Sequence, residues 1–240
     1  MSKQPLEHLS FTVAQHSVAG LKPQNEDAIG IRIPQGLTLA NKGAVAVIAD
    51  GVSAAEAGKE ASETCVHNFL SDYYSTPDSW GVKKSTTQVL TALNRWLFGQ
   101  GRSFSDVQKG YVSTFSSVIF KSQTAHIFHV GDSRIYRLRG NDLEQLTRDH
   151  TTFISEEQSY LARAMGLDVK LDVDYRNVDL EIGDIFFLST DGIHDFVKDR
   201  DLRFVLGALV GEPAEQAFEA CCTNLVEIAL ENNRDRKSVV

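Results

Sequence analysis

The chain of 240 residues contains 32 Asp and Glu against 24 Lys and Arg, which gives a formal net charge of −8. Binding to a nucleic acid backbone requires a basic surface, so this balance argues against nucleic acid as the main partner. Hydrophobic residues make up 42% of the chain and charged residues 23%, and these values exclude a disordered protein. The length suggests a single domain, 1–240, that buries a core of its own.

The cysteines and the apolar segments indicate in which cellular compartment the protein is expected. Cys65, Cys221 and Cys222 are odd in number and two are adjacent, so no disulfide framework is expected. The N-terminus lacks the apolar stretch of a signal peptide, and the apolar run 44–49 is far shorter than a membrane span. We therefore expect a cytoplasmic protein without a transmembrane segment.

Apolar residues that alternate along the chain predict strands, and helical patterns are fewer. Strands are predicted at 9–14, 28–33, 44–49, 113–120, 125–130, 134–139, 143–147 and 184–189. Helices are predicted at about 55–70, 86–98 and 213–231, with a last strand beginning at 238–240. Because strands follow one another directly and helices come in blocks, this order favours antiparallel sheets covered by helices over a parallel βαβ fold.

Acidic residues stand at the ends of four of these apolar runs. They occur in Asn25-Glu26-Asp27, Asp50-Gly51, Gly131-Asp132 and Asp191-Gly192. A single Asp-Gly pair is more often a simple turn. Several such sites are harder to explain by turns alone, because clustered carboxylates raise one another's pKa unless a cation neutralises them. An all-oxygen ligand set suits Mg²⁺ or Mn²⁺.

Five short motifs contain these acids in a fixed order. They are Asn25-Glu26-Asp27, Val47-Ile48-Ala49-Asp50-Gly51, Val130-Gly131-Asp132-Ser133-Arg134, Leu146-Thr147-Arg148-Asp149-His150 and Leu188-Ser189-Thr190-Asp191-Gly192. In order and spacing they resemble the motif series of the metal-dependent protein serine/threonine phosphatases, the type-2C family, in its bacterial branch. The stretch 161–166 is similar to a further short motif of that family, and the likeness extends from about Ser10 to Val240.

The resemblance implies a fold and a metal centre. The fold would be α+β, a two-sheet antiparallel β-sandwich flanked by helix pairs in four α/β/β/α layers. Two Mn²⁺ or Mg²⁺ ions would lie at one end of the sandwich, bridged by Asp50, with Glu26 and Asp27 acting mostly through coordinated waters. The implied metal ligands are Glu26, Asp27, Asp50, the carbonyl of Gly51, Asp191 and Asp235, with Asp132 for a third, weaker ion.

The activity implied by the resemblance is hydrolysis of phosphoserine and phosphothreonine in proteins. Paired ions lower the pKa of a shared water, which would attack phosphorus without a covalent intermediate. Asp50 and Asp191 would be the central catalytic residues, the substrate a phosphorylated protein, and a cognate serine/threonine kinase a partner. The sequence has no Cys-x5-Arg phosphatase loop, and its cysteines fall in helix patterns where we expect them to be buried fillers.

Three positions depart from the family pattern. Lys22 stands where many members have the arginine that holds the substrate phosphate; lysine lacks the bidentate fork, and a solvated loop lysine is an equally open interpretation. Val52 replaces the histidine proposed as general acid in animal members, and for His150 we expect a structural hydrogen-bonding role. Asp235 is followed by Arg236 instead of asparagine, so it is either a ligand or a capping residue after the long helix.

Two other functions fit the same motifs. One is a turnover-deficient phosphatase fold that binds a phosphoprotein or a regulatory partner, as Lys22 and Arg236 suggest. The other is a metal-dependent hydrolase of small phosphate esters, which would differ only in loops such as 151–170. Since the chain stops just after a strand begins at Ser238, we also expect 1–240 to be a domain excised from a longer, kinase-linked protein.

Overall fold

The computed structural model describes residues 10–104, 109–155, 158–211 and 214–237, without the side chains of 153–155, 158–159 and 234–237. The strands are β1 (Asp27–Arg32), β2 (Ala44–Asp50), β3 (Phe115–Lys121), β4 (Thr124–Val130), β5 (Arg134–Arg139), β6 (Asp142–Gln145), β7 (Thr151–Ser155), β8 (Gln158–Leu161), β9 (Asp174–Asp179) and β10 (Ile185–Ser189). The helices are α1 (Gly36–Lys42), α2 (Gly58–Ser75), α3 (Val82–Gly101), α4 (Asp191–His194), α5 (Asp199–Gly207) and α6 (Glu215–Lys237).

Antiparallel pairing joins the described strands into two sheets and a hairpin. The first sheet has five strands in the order β1-β2-β3-β4-β9, and the second has three in the order β10-β5-β6. β7 and β8 form a separate two-stranded hairpin. Every strand pair is antiparallel, which confirms the predicted fold class.

The first sheet is covered on both faces. Phe115 and Ile119 of β3 pack with Phe69 of α2 and Leu90 of α3, while Val118, between them on β3, packs toward the second sheet. Successive side chains of a strand point to opposite faces, so a sheet buried on both sides needs apolar residues at both parities. This explains why 44–49 is apolar throughout, as expected of a central strand.

The second sheet has its own helical cover. Tyr136 and Leu138 of β5 pack with Leu202 and Leu206 of α5 and with Leu225 of α6. Helices therefore lie outside both sheets, and three apolar layers hold the four-layer arrangement together. Among the described residues, no helix is long and apolar enough to cross a membrane.

The long helices match their predicted patterns. In α2 the predicted stripe of Ala61, Cys65 and Phe69 is fully buried. α2 begins later and ends later than predicted, and α3 extends the predicted 86–98 segment at both ends. α6 likewise continues past the predicted end at 231 to Lys237, whereas Pro213 lies outside the described residues.

The strand predicted at 9–14 is wrong over 10–14, where the backbone forms no ladder. This segment lines a cavity of about 900 Å³ whose other walls include β10 and α6. The edge strand β1 lies nearby, but the backbone of 10–14 does not pair with it. Leu9 and the predicted strand 238–240 lie outside the described residues. The sequence patterns also missed α1, α4, α5, the β7–β8 hairpin and the polar strand β9.

Substituting Gly166 by alanine tests the close approach of this residue to the backbone of Tyr111. Gly166 has a φ of +78°, and an added Cβ would overlap with the carbonyl oxygen of Tyr111. Positive φ strains alanine by roughly 1–2 kcal/mol, and overpacking costs about 1–3 kcal/mol more. We expect Gly166→Ala to lower the free energy of unfolding by the sum of both, as measured by urea denaturation.

The matched control is Gly183→Ala. Gly183 has a φ of +91° but open space around it, so only the strain applies. Equal losses for the two variants would contradict the proposed overlap at Gly166.

Candidate functional site

Strand register in the first sheet brings two acids face to face. Asp27 is the first residue of β1, Asp50 is the last residue of β2, and the two are directly paired across the antiparallel ladder. Directly opposed side chains of such a pair lie within contact distance on the same face. The backbone therefore fixes the proximity of these carboxylates before any side-chain interaction is considered.

The second sheet brings two more acids to the same end. Asp132 lies just before β5 and Asp191 just after β10, and these strands pair with Ser189 opposite Arg134. The hydroxyl of Thr190 donates a hydrogen bond to Oδ2 of Asp27 at 2.9 Å, which joins the end of β10 to the first sheet. Four of the predicted site residues are thus assembled from four separate segments.

The carboxylates perturb one another strongly. Burial, followed by the charges of Asp27 and Asp191, raises the pKa of Asp50 to about 9. Burial also raises the pKa of Asp27, although hydrogen bonds with Thr190 and Asp50 oppose this shift. Burial and the charge of Asp191 raise the pKa of Asp132 to about 6. The cluster therefore favours protons or another cation as charge compensation.

The donor chemistry of this cluster fits a hard divalent cation. Its side chains offer carboxylate oxygens, the ligands that Mg²⁺ and Mn²⁺ prefer. In the described part of the chain, no three His, Cys, Asp or Glu side chains are arranged so that they could hold a metal ion as they stand. The fit to a divalent cation therefore rests on the chemistry of the donors and on their meeting at one end of the sheets.

Glu26, Gly51 and Lys22 lie at the rim of the cluster. The Gly51 N–H donates to the carbonyl oxygen of Glu26 at 3.0 Å, so these two predicted ligands are adjacent. Lys22 Nζ donates to Ser53 Oγ at 2.8 Å and lies 3.8 Å from Oε2 of Glu26. The Lys22 side chain is 49% exposed, so its charge can be reached from solvent.

Asp235 is not tested by the structure. Its backbone lies in α6, which continues to Lys237, so the residue stands inside the last turn and not after the helix. The structure does not describe the side chain of Asp235. The assignment of Asp235 as a ligand therefore remains a prediction.

His150 has the structural role predicted for it. Its Nδ1 accepts the N–H of Gly131 at 3.2 Å, and its Nε2 lies 3.1 Å from Oδ2 of Asp174. The His150 N–H donates to the Gly131 carbonyl at 2.8 Å as well. His150 thereby supports the turn that precedes Asp132.

Several hydroxyl residues at the site were not predicted. Thr190 bonds Asp27, Ser53 bonds Lys22, and Thr114 bonds the backbone N–H of Asp50. For Thr114 the signal available in the sequence was the Ser- and Thr-rich segment 113–117, interrupted only by Phe115, and no comparable signal marked Ser53 or Thr190. Which hydroxyl reaches which acid depends on strand register, and the run alone does not specify it.

The chain matches known proteins over most of its length. The family model described as protein phosphatase 2C matches residues 14–228. The serine/threonine phosphatase stp of Listeria welshimeri is 30% identical over 190 residues, covering 68% of this chain and 71% of the relative.

Solved structures have a similar fold. Stp1 from Staphylococcus aureus, a serine/threonine phosphatase, matches with a TM-score of 0.75 at 23% identity, covering 97% of this chain and 94% of that chain. The catalytic domain of the serine/threonine phosphatase PstP, in complex with two manganese ions, matches with a TM-score of 0.70 at 24% identity over 90% of each chain. At these identities the structural likeness concerns the fold alone.

Replacement of Asp50 by asparagine tests the electrostatics of the cluster. The pKa of Asp50 is raised from 3.8 to about 9 on folding, so the metal-free folded state binds this proton more tightly than the unfolded state. Its stability should therefore fall as pH rises between these values, a loss that asparagine avoids. In EDTA at about pH 8 we expect Asp50→Asn to melt at least about 3 °C above the wild type, with the difference vanishing near about pH 4.

Asp142→Asn provides the control, because Asp142 is exposed on the β5–β6 hairpin and lies outside the acidic cluster, so this variant should melt together with the wild type. Adding Mn²⁺ should reverse the order by raising the melting temperature of the wild type more than that of Asp50→Asn. A variant that melts below the wild type at high pH in EDTA would contradict the proposed repulsion.

Proposed function

The chain belongs to the protein phosphatase 2C family and is a protein serine/threonine phosphatase, and from this premise we propose that it hydrolyses phosphoserine and phosphothreonine with divalent metal ions bound at its acidic cluster. The observation that supports the proposal is the convergence of Asp27, Asp50, Asp132 and Asp191 at one end of the two sheets. PstP, with its two manganese ions, provides a precedent on the same fold.

The residues that would hold the ions are those already placed at this end. Asp50 is central, because it faces Asp27 across the ladder and feels the charges of Asp191 and Asp132. The carbonyl of Gly51 and the carboxylate of Glu26 adjoin it, and Asp235 remains the proposed further ligand. When bound, a pair of Mn²⁺ or Mg²⁺ ions supplies an activated water and stabilises negative charge on the phosphoryl oxygens.

Lys22 is proposed to bind the substrate phosphate. Its ammonium group lies at the rim of the cluster, held by Ser53 and near Glu26. A single positive charge at this place can attract a phosphate dianion and orient it toward the carboxylate end. Its exposure leaves it free to exchange these partners for a substrate.

Direct attack by water, without a phosphoenzyme, is supported by the state of the cysteines. Burial raises the pKa of Cys65 to about 12 and that of Cys221 to about 11. Thiols with such values stay protonated and are poor nucleophiles near neutral pH. We extend the proposal to a phosphorylated protein as substrate, made by a serine/threonine kinase in the same cytoplasmic compartment.

Activity assays with a phosphothreonine peptide and with para-nitrophenyl phosphate test the proposal. We expect turnover with Mn²⁺ that EDTA abolishes, and we expect Asp191→Asn to lower kcat by about 100-fold or more. Asp142→Asn, on the exposed β5–β6 hairpin, should leave kcat unchanged. Full activity in metal-free buffer would refute the proposal, and Mn²⁺ binding without turnover would favour a phosphoprotein-binding module.

Substitutions of Lys22 test phosphate binding. A charge-assisted hydrogen bond contributes roughly 1.5–3 kcal/mol, so Lys22→Ala should raise KM about 10- to 100-fold with a smaller effect on kcat. Lys22→Arg should keep or lower KM because the guanidinium binds phosphate in a bidentate manner. Lys59→Ala serves as the control, since Lys59 is exposed to a similar degree and pairs with Glu63 on α2. An unchanged KM in Lys22→Ala would favour the solvated loop lysine.

A further inference from the structure

Thr114 makes an unusual connection to the central acid of the cluster. Its N–H donates to the Asp50 carbonyl at 2.8 Å, and its side-chain Oγ1 accepts the Asp50 N–H at 2.9 Å. In a regular antiparallel pair the second bond would go to a backbone carbonyl. Here the threonine side chain replaces it, so the backbone of Asp50 is held by a group that can make further contacts.

The same oxygen of Thr114 also contacts the turn that contains Asp132. Thr114 Oγ1 lies 2.8 Å from Ser133 Oγ, and Ser133 directly follows Asp132. Thr114 is 1% exposed and Ser133 is 0% exposed, so water does not compete for this bond. A hydroxyl can accept one hydrogen bond and donate another, which allows Thr114 to join both segments at once.

The methyl group of Thr114 sets the distance between these segments from the other side. Gly131, which precedes Asp132, has a φ of +111°, and an added Cβ would lie 2.6 Å from both Cβ and Cγ2 of Thr114. The turn therefore rests against the threonine with no space for a side chain. The hydroxyl group of Thr114 bonds this turn and its methyl group packs against it, so the two groups together fix where the turn lies.

The neighbouring hydroxyl of Ser116 is committed to another partner. Burial lowers the pKa of His129 to about 4, so its ring is neutral, and its Nε2 must carry the proton that it donates to the Arg148 carbonyl at 3.0 Å. Nδ1 therefore accepts the single proton of Ser116 Oγ at 2.8 Å, and the Ser133 carbonyl, 3.3 Å from the same Oγ, receives only a weak contact. Within the described part of the chain, the side chain that hydrogen-bonds the Ser133 hydroxyl is that of Thr114.

We propose that Thr114 is a positioning residue. It holds the end of β2 at Asp50 against the turn that contains Gly131 and Asp132, and it thereby sets the affinity of the acidic cluster for divalent metal ions. This inference rests on the proposed function, because it assumes that these acids bind metal. Thr114 does not itself contact substrate or metal on this proposal; it acts through the two backbone segments that present the acids. Residues that orient metal ligands in this way typically change metal affinity about 10- to 100-fold when mutated.

Two variants of Thr114 separate its hydroxyl from its methyl group. Thr114→Val keeps the shape and removes Oγ1, whereas Thr114→Ser keeps the hydroxyl and removes the methyl. Ser117→Ala is the control, since Ser117 is a buried hydroxyl in β3, the strand that Thr114 directly precedes, and its Oγ has no hydrogen-bond partner in the described part of the chain. Mn²⁺ affinity and stoichiometry by calorimetry are the primary readout, with unfolding in EDTA as a check on folding and kcat measured in parallel.

We expect Thr114→Val to bind Mn²⁺ about 10- to 100-fold more weakly than the wild type while remaining folded in EDTA. Thr114→Ser should stay within about threefold of the wild type, and Ser117→Ala should be indistinguishable from it. Wild-type affinity in Thr114→Val would overturn the proposal. Equal losses in Thr114→Val and Ser117→Ala would also overturn it, because they would indicate a general disturbance of the strand.

Ser133→Ala tests the same bond from its other end, and it replaces Thr114→Val if that variant fails to fold. Because both substitutions remove one shared hydrogen bond, their effects on Mn²⁺ affinity should be less than additive in the double variant. Additive effects, or an unchanged affinity in Ser133→Ala, would overturn the proposal. A wild type that binds Mn²⁺ but hydrolyses no phosphate ester would refute the proposed function alone, whereas a wild type that binds no Mn²⁺ would refute both.

Discussion

Asp27 and Asp50 face each other across the β1–β2 ladder, and the repulsion between these poorly solvated carboxylates is the constraint around which the acidic end is built. Neither side chain can move far away, because each stands at the end of a strand that is held in the β1–β2 ladder. A shared hydrogen bond and the Thr190 hydroxyl relieve the repulsion in part, and Lys22 offsets some of the charge. The apolar layers on both sides of the sheets must supply the stability that this arrangement costs.

The same repulsion gives the site its chemical selectivity. Carboxylates held close by the backbone bind protons more tightly when no metal is bound, and they gain most from a small, doubly charged ion that accepts only oxygen ligands. Because the fold imposes this proximity, the ion does not have to gather its ligands from a flexible chain. Rigid placement of this kind is what a water-activating centre requires, since small displacements of reacting groups lower the rate strongly.

The sequence predicted those strands and helices whose pattern of apolar residues follows directly from which of their faces are buried. β2 is apolar at both parities because both faces are covered, and the stripe of α2 is buried as predicted. The alternation at 10–14 was misleading, because a side chain can be buried without its backbone joining a ladder: Phe11 packs against Phe120 while this segment stays unpaired. β9 was missed for the opposite reason, since it is an edge strand with exposed polar residues and gains its structure from pairing with β4. At the site, motif order located the acids, but the links made by Thr114, Thr190 and Ser53 depend on contacts between distant segments.

The direct pairing of Asp27 with Asp50 has a consequence for how the chain can vary in length. Adding or removing one residue within β1 or β2 would turn the acid at the end of that strand to the opposite face relative to the side chains beyond the change. The acid at the strand end would then point into an apolar layer instead of toward its partner. Natural insertions and deletions should therefore collect in places such as the turn at Gly140, which has open space around it, and the spacing inside β1 and β2 should tolerate none.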